Sequence, residues 1–301
     1  MTVSGVIVAL LTPFDDEGIK VDFERLRNHV KFLLDRKIHG FFTTGTVGEG
    51  ILLDVEERKQ VLDTVIQTCD KRVPVIAHVG HVNTSIAVEL AKHARESGAD
   101  AIATIPPYYF PLDDEALLQY FRDVAAAASP VPFYVYNYPD ATNNSISAAL
   151  LQRLVETVPN LKGFKDSSKS LECFEDYRVH VPGLDGIVGS DTLILEVLKA
   201  GGQGVISTVA NVFPDEVLKV YECFKSNDLT KAKAYQALVD EARKLLKSGP
   251  YITTYKAAMA LQYGKQLGGS RVPLRGLDEK ERKKLKQLLA DFNVLRERVV
   301  S

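Results

Sequence analysis

Cysteine is scarce: Cys69, Cys173 and Cys223 are too few, and too irregularly spaced, for a disulfide framework or a thiolate metal site. Each falls within an apolar helical pattern, which predicts reduced residues in or near the core of a cytoplasmic protein. An excess of charge is lacking too. The net charge of −2 leaves no electrostatic footprint for nucleic acid or for an anionic membrane. No apolar run approaches the ~20 residues of a membrane span. The apolar start, residues 1–11, has no basic segment or small-residue cleavage site, so it reads as a first strand and not as a signal peptide. No Gly-x-Gly-x-x-Gly loop follows any strand-like run, and no low-complexity linker divides the chain. What remains is an ordinary globular composition, 46% hydrophobic and 25% charged over 301 residues. Such a length buries about 75% of the unfolded surface and fits one large α/β barrel or two smaller domains.

Short β-rich apolar runs alternate with amphipathic helical patterns along the chain. The runs lie at 5–13, 40–48, 73–80, 99–107, 131–139, 161–168, 186–191 and 202–211. Eight such strand–helix units are the size of a parallel barrel with an outer helical ring. A doubly wound open sheet is the alternative, and it lacks its phosphate loop here. After Pro214 the rhythm changes to three helical patterns, at 214–248, 252–266 and 278–299. The expectation is an α/β fold: a (β/α)8 TIM barrel over residues 1–225, with a C-terminal helical extension over 226–301 packed on it.

Barrel chemistry sits at the C-terminal strand ends. Those ends collect Thr43, Thr44, Thr46 and Glu49 on a glycine-rich turn, then Tyr108 and Tyr109, and then Tyr134, Tyr136 and Tyr138. Lys165 follows in "NLKGFKDSS", Asp191 in "GSD", and Ser207, Thr208 and Asn211 in "ISTVAN". A lysine beside Leu161, Gly163 and Phe164 either snorkels to solvent or is buried for a purpose. At its reference pKa only about one lysine in a few thousand is neutral at pH 7. Burial lowers that pKa, and the neutral amine then attacks a 2-oxo acid to form an imine, an electron sink. Strand alternation puts Tyr136 and Tyr138 on one face, next to the strand of Lys165, where a phenol can shuttle protons. The turn at Gly45–Gly50 offers backbone N–H groups suited to a carboxylate. Each feature also has a plainer reading. The tyrosines can be packing residues, Asp191 the N-cap of the next helix, and His78 and His81 either structural or two ligands of a metal-dependent aldolase.

Six segments in order resemble the dihydrodipicolinate synthase / N-acetylneuraminate lyase family of class I, Schiff-base aldolases. They are "ALLTPFDDEG" (9–18), "GTVGEGILLDVEER" (45–58), "PPYYF" (106–110), "YNYP" (136–139), "GFKDSS" (163–168) and "GGQGVIS" (201–207). The resemblance spans essentially the whole chain. It implies Lys165 as the imine-forming lysine, Tyr136 as the proton shuttle and Thr46 as the relay. It also implies that Tyr109 enters the neighbouring subunit's site within a homotetramer built as a dimer of dimers. No cofactor is implied beyond the covalent imine, and no metal. The substrate contacts expected are Val47, Gly48, Gly189, Asp191, Ile206 and Ser207.

Two departures bear on the substrate. Ala141 stands where synthases usually carry an arginine for the carboxylate of aspartate semialdehyde, and no arginine occurs between Arg122 and Arg153. Val47 replaces a Thr or Ser that helps hold the pyruvyl carboxylate. The motifs "YNYP-x-A" and "GSD" resemble the branch that cleaves 2-keto-3-deoxygluconate and related sugar acids, while "GTVGEG" and "HVG" lean toward sialic acid lyases. The expected reaction is reversible cleavage of a 2-keto-3-deoxy sugar acid to pyruvate and a hydroxyaldehyde, in a pocket without a fixed cation on the aldehyde side. The alternatives are dihydrodipicolinate synthase, N-acetylneuraminate lyase, the metal-dependent aldolase, and a barrel that only binds 2-oxo acids.

Overall fold

A computed structural model describes residues 3–300. Its elements run β1 (Gly5–Ala9), α1 (Phe23–Asp35), β2 (Gly40–Thr43), α2 (Val55–Cys69), β3 (Val75–His78), α3 (Thr84–Glu96) and β4 (Ala101–Thr104). Then follow α4 (Asp114–Ala128), β5 (Phe133–Asn137), α5 (Pro139–Thr142), α6 (Ala148–Thr157), β6 (Leu161–Asp166), α7 (Leu171–His180) and β7 (Asp185–Val188). The chain closes with α8 (Ile194–Lys199), β8 (Gly204–Ser207), α9 (Pro214–Lys225), α10 (Leu229–Leu246), α11 (Thr253–Tyr263) and α12 (Glu279–Val300).

All eight strands are parallel and pair in sequence order, and β8 returns to β1 through Gly5↔Gly204 and Val8↔Ser207. The sheet therefore closes without an edge, and the expected (β/α)8 barrel is the observed fold. The helices form where the sequence supplies a cap and an apolar stripe. In α1, Asp22 accepts from the Glu24 and Arg25 amides, and Leu26, Val30 and Leu33 fall on one buried face. Asp54 and Glu57 make a reciprocal capping box at α2. Each fully buried Leu or Val contributes ~1.5–3 kcal/mol. Among the described residues no helix is long and apolar enough to cross a membrane.

Two expectations about element bounds change. The run at 40–48 gives a strand of only four residues, because Thr44 turns into the left-handed region at φ 50° and ends it. The pattern at 214–248 is two helices, not one. Asn227 breaks it at φ 62°, and Asp228 caps the second by accepting from the Lys231 amide. That break turns α10 across the barrel mouth. Gln236 fixes the crossing, donating to the Asp191 carbonyl at 2.9 Å and accepting from the Leu195 amide at 3.1 Å.

Candidate active site

Lys165 is the fifth residue of β6 and is paired in register with Tyr136 of β5. Its side chain points into the barrel, 5% exposed. The ammonium nitrogen lies 3.7 Å from the centre of the Tyr136 ring and 4.2 Å from that of Phe42. No carboxylate among the described residues pairs with it. Burial pulls its pKa down to about 7, and the Asp191 carboxylate, further off, draws it back up. A lysine held this way is substantially neutral near pH 7 and is a competent nucleophile. The room for it comes from Gly189 on the neighbouring strand end. A Cβ there would meet Lys165 Cε at 2.8 Å and Ser167 Oγ at 2.0 Å.

Tyr136 is buried, with Thr46 and Ser167 beside its hydroxyl in the same cavity. Burial pushes the phenol's pKa far up while those two neighbours lower it, so the group is a neutral donor and acceptor at physiological pH. Thr46 opens the turn after β2. The backbone N–H groups of Thr46, Val47 and Gly48 find no acceptor among the described residues. Thr46 and Val47 line the same cavity as Lys165, whereas Gly48, expected among the substrate contacts, stands behind them in the turn and does not line it. Unclaimed amides on a turn facing a cation-bearing pocket suit a carboxylate. The turn itself is tightly held. Thr12 donates to the Gly48 carbonyl at 2.6 Å, and the Glu49 amide donates to the Thr46 carbonyl at 3.2 Å.

The remaining expected residues divide. Gly189, Asp191 and Ile206 line the cavity. Ser207 is wholly buried behind it and donates to Asp191, while its own oxygen accepts from the Ala210 amide. Asp191 is not a helix N-cap. It begins a short 3-10 turn, Asp191–Leu193, and its carboxylate is spent on Ser207 and the Val209 amide. Burial raises its pKa against those bonds. Tyr109 lies outside this pocket, 79% exposed with φ 87°, edge-on to Phe110. Tyr134 points to the opposite end of the barrel and donates to Asp185 at 2.9 Å, because two residues along a strand move a side chain one layer down. Asn211 is also occupied within the core, by Leu11, His29 and Ala9.

His78 Nδ1 meets the Thr44 carbonyl at 3.1 Å, and Thr44 Oγ1 donates back to the His78 carbonyl at 3.1 Å. His81 Nδ1 accepts from the Asn83 amide. Burial and Arg58 lower the pKa of both rings, so both are neutral at pH 7. Among the described residues no group of three or more His, Cys, Asp or Glu is placed to hold a metal ion.

Sequence reasoning missed several lining residues: Phe42, Ser167, Arg243, Lys247, Tyr251 and Tyr255. The last four come from the C-terminal helices and their connection. They overturn the expectation of an aldehyde side without a fixed cation. Arg243 and Lys247 lie one turn apart, and Lys247 is depressed first by burial and then by the charges of Arg243 and Lys169. Three cations thus crowd one side of the mouth, with Lys169 partly satisfied by Asp140 at 2.5 Å. The spacing of Arg243 and Lys247 was visible in the sequence, but not the direction in which α10 crosses.

A profile of the dihydrodipicolinate synthetase family matches residues 2–292. A DapA-like lyase of Halobacterium salinarum is 40% identical over 292 residues, covering 97% of this chain and 94% of the relative. A 4-hydroxy-tetrahydrodipicolinate synthase of Caldicellulosiruptor bescii is 35% identical, covering 95% and 96%. Among solved structures, the sialic acid aldolase of Ruminococcus gnavus superimposes with a TM-score of 0.93 at 28% identity, covering 99% of each chain. An E. coli K12 prophage protein of the dihydrodipicolinic acid synthase family, solved with pyruvate, gives 0.92 at 28% identity, covering 97% of this chain and 99% of its own. With the family matched along nearly its whole length, the chain belongs to the dihydrodipicolinate synthetase family and is a carbon–carbon lyase of the class I, pyruvate-dependent kind.

Proposed function

We propose that the protein reversibly cleaves a 2-keto-3-deoxy sugar acid to pyruvate and a hydroxyaldehyde, through an imine on Lys165. The observation that carries this reading is the unpaired, buried Lys165 with its pKa at about 7, packed on Tyr136 in one cavity with Thr46 and Val47, whose amides are free. The neutral amine attacks the C2 carbonyl, water leaves, and the protonated imine forms. The C4 hydroxyl then loses its proton as the C3–C4 bond breaks, and the bonding pair moves into the imine to give an enamine and an aldehyde. Tyr136 accepts that proton as its own passes on by way of Thr46 and Ser167, so the phenol stays neutral and the proton ends on C3 of the enamine. Protonation of the enamine and hydrolysis release pyruvate and regenerate the amine.

Ser190, Thr208 and the three cations suit a polyol chain that ends in an anionic group. The same cations support a second reading, 4-hydroxy-tetrahydrodipicolinate synthase, since Arg243 can take the carboxylate of aspartate semialdehyde in place of the arginine missing after Pro139. One experiment separates the two. Pyruvate is offered with glyceraldehyde, glyceraldehyde 3-phosphate and aspartate semialdehyde at equal concentrations, and products are identified by mass. The hydroxyaldehydes should react faster; a faster aspartate semialdehyde puts the synthase in their place. Borohydride with pyruvate should leave a stable adduct on Lys165 in either case, and an adduct on Lys162 or Lys169 sinks both.

A homotetramer belongs to the same reading, with the exposed Tyr109–Phe110 pair as the surface that meets a second copy. Light scattering reads the assembly, and a monomer overturns it. A cytoplasmic location accords with the free thiols of Cys69, Cys173 and Cys223.

A further inference from the structure

We propose that Lys256 and Glu49 are positioning residues for the amide turn at Thr46–Gly48, so that a helix of the C-terminal extension sets how tightly the pocket holds the carboxylate of its 2-oxo acid. This rests on the reading above, in which that turn receives the pyruvyl carboxylate.

Lys256 lies on α11 and Glu49 in the turn after β2, and their side chains are 1% and 0% exposed. Lys256 Nζ donates to Glu49 Oε1 at 2.6 Å and to the Gly269 carbonyl at 2.7 Å, and it sits 4.4 Å from the centre of the Phe14 ring. Glu49 Oε2 accepts from the Arg271 amide at 2.8 Å. Neither residue lines the pocket. Both are therefore absent from the chemistry, yet two charges have been taken out of water to join them. Such a pair is weak evidence for stability, because an apolar pair of the same volume is often as good or better. Its geometric effect is more specific.

Glu49 is a non-glycine residue at φ 57°, a costly conformation that persists only where its surroundings impose it. It directly follows Gly48, and its amide closes the turn by donating to the Thr46 carbonyl across Val47 and Gly48. The far end of the turn is equally constrained. Thr44 stands at φ 50°, and a Cβ on Gly50 would meet its carbonyl oxygen at 1.9 Å. Fixing the Glu49 carboxylate at both oxygens therefore fixes the direction of the Thr46, Val47 and Gly48 amides. Lys256 is the next residue after Tyr255, which lines the cavity, so α11 touches the pocket and its anion cradle in adjacent positions.

The test uses the full-length double variant Glu49→Gln/Lys256→Met. It removes both charges together, so neither is left buried alone, and the amide oxygen still accepts from Arg271. Borohydride trapping of pyruvate is measured against pyruvate concentration, with the cooperative melt recorded alongside. The half-saturating pyruvate concentration should rise tenfold or more while the saturating rate falls less than threefold. Amide exchange within residues 46–49 should quicken while the barrel strands keep their protection. A folded double variant with half-saturation within threefold of the parent overturns the proposal, as does a fall confined to the saturating rate. If the double variant fails to fold, Glu49→Gln alone, with the same shape and Lys256 free to shed its proton, must show the same split. Trapping on the parent enzyme keeps the two questions apart. Without it the imine reading fails; with it and an unchanged variant, only the role of Lys256 and Glu49 fails.

Discussion

The phenol of Tyr136 has one carbon-bound oxygen to lose and a closely packed ring to keep. Phe42, His78 and Tyr138 surround that ring at centroid distances of 5.7–6.0 Å among themselves and to it. Tyr136→Phe should consequently fold as the parent does, leaving Thr46 and Ser167 without their shared partner. Proton-transfer groups of this kind contribute ~10²–10⁴-fold. Turnover should drop by that much, and a loss below tenfold in steady-state rate removes Tyr136 from the mechanism. Ser167 is the residue here that sequence reasoning passed over. It reads as turn chemistry after a strand, and nothing in one sequence shows that the strand ends at Asp166 with Ser167 turned back toward the phenol.

At the level of elements, the strands and barrel helices were legible because their periods differ, two residues against 3.6. Closure of the sheet then places every strand end at one mouth, so Lys165, Tyr136 and the Gly45–Gly50 turn could be brought together from the sequence alone. The C-terminal helices obey no such rule. Their amphipathic patterns declare a buried face but not the element beneath it, and the break at Asn227, which aims α10, is one residue in the left-handed region. That is why Arg243 and Lys247 escaped notice. Their expected effect is selective. Arg243→Ala should raise KM for glyceraldehyde 3-phosphate at least tenfold and change KM for glyceraldehyde less than threefold. Equal changes for both aldehydes in initial-rate assays remove the pair from substrate recognition.

For the molecule as a whole, the buried lysine is a thermodynamic burden. The folded state holds Lys165 at a pKa of about 7, against an ordinary 10.5. Between those values the unfolded chain binds a proton that the folded chain does not, so stability rises with pH across that window. Below pH 7 the full penalty applies, of order 5 kcal/mol at about 1.36 kcal/mol per pKa unit. Lys165→Met should therefore be inactive and more stable than the parent at pH 7, with an advantage that shrinks as pH approaches 10. Urea denaturation at pH 7 and pH 9.5 measures it; an advantage that is absent or grows with pH contradicts the burial of an unpaired amine.

Closure of the mouth by Arg243, Tyr251 and Tyr255 also has a consequence in time. Lys165 leaves the ribosome well before those residues exist, and β8, which seals the barrel against β1, also comes later in the chain. An amine in an open, wet barrel titrates near its ordinary value and carries its charge. During synthesis the lysine is thus almost wholly a cation, and it condenses only slowly with the 2-oxo acids around it. Its full nucleophilicity arrives only when the last third of the chain has settled over it.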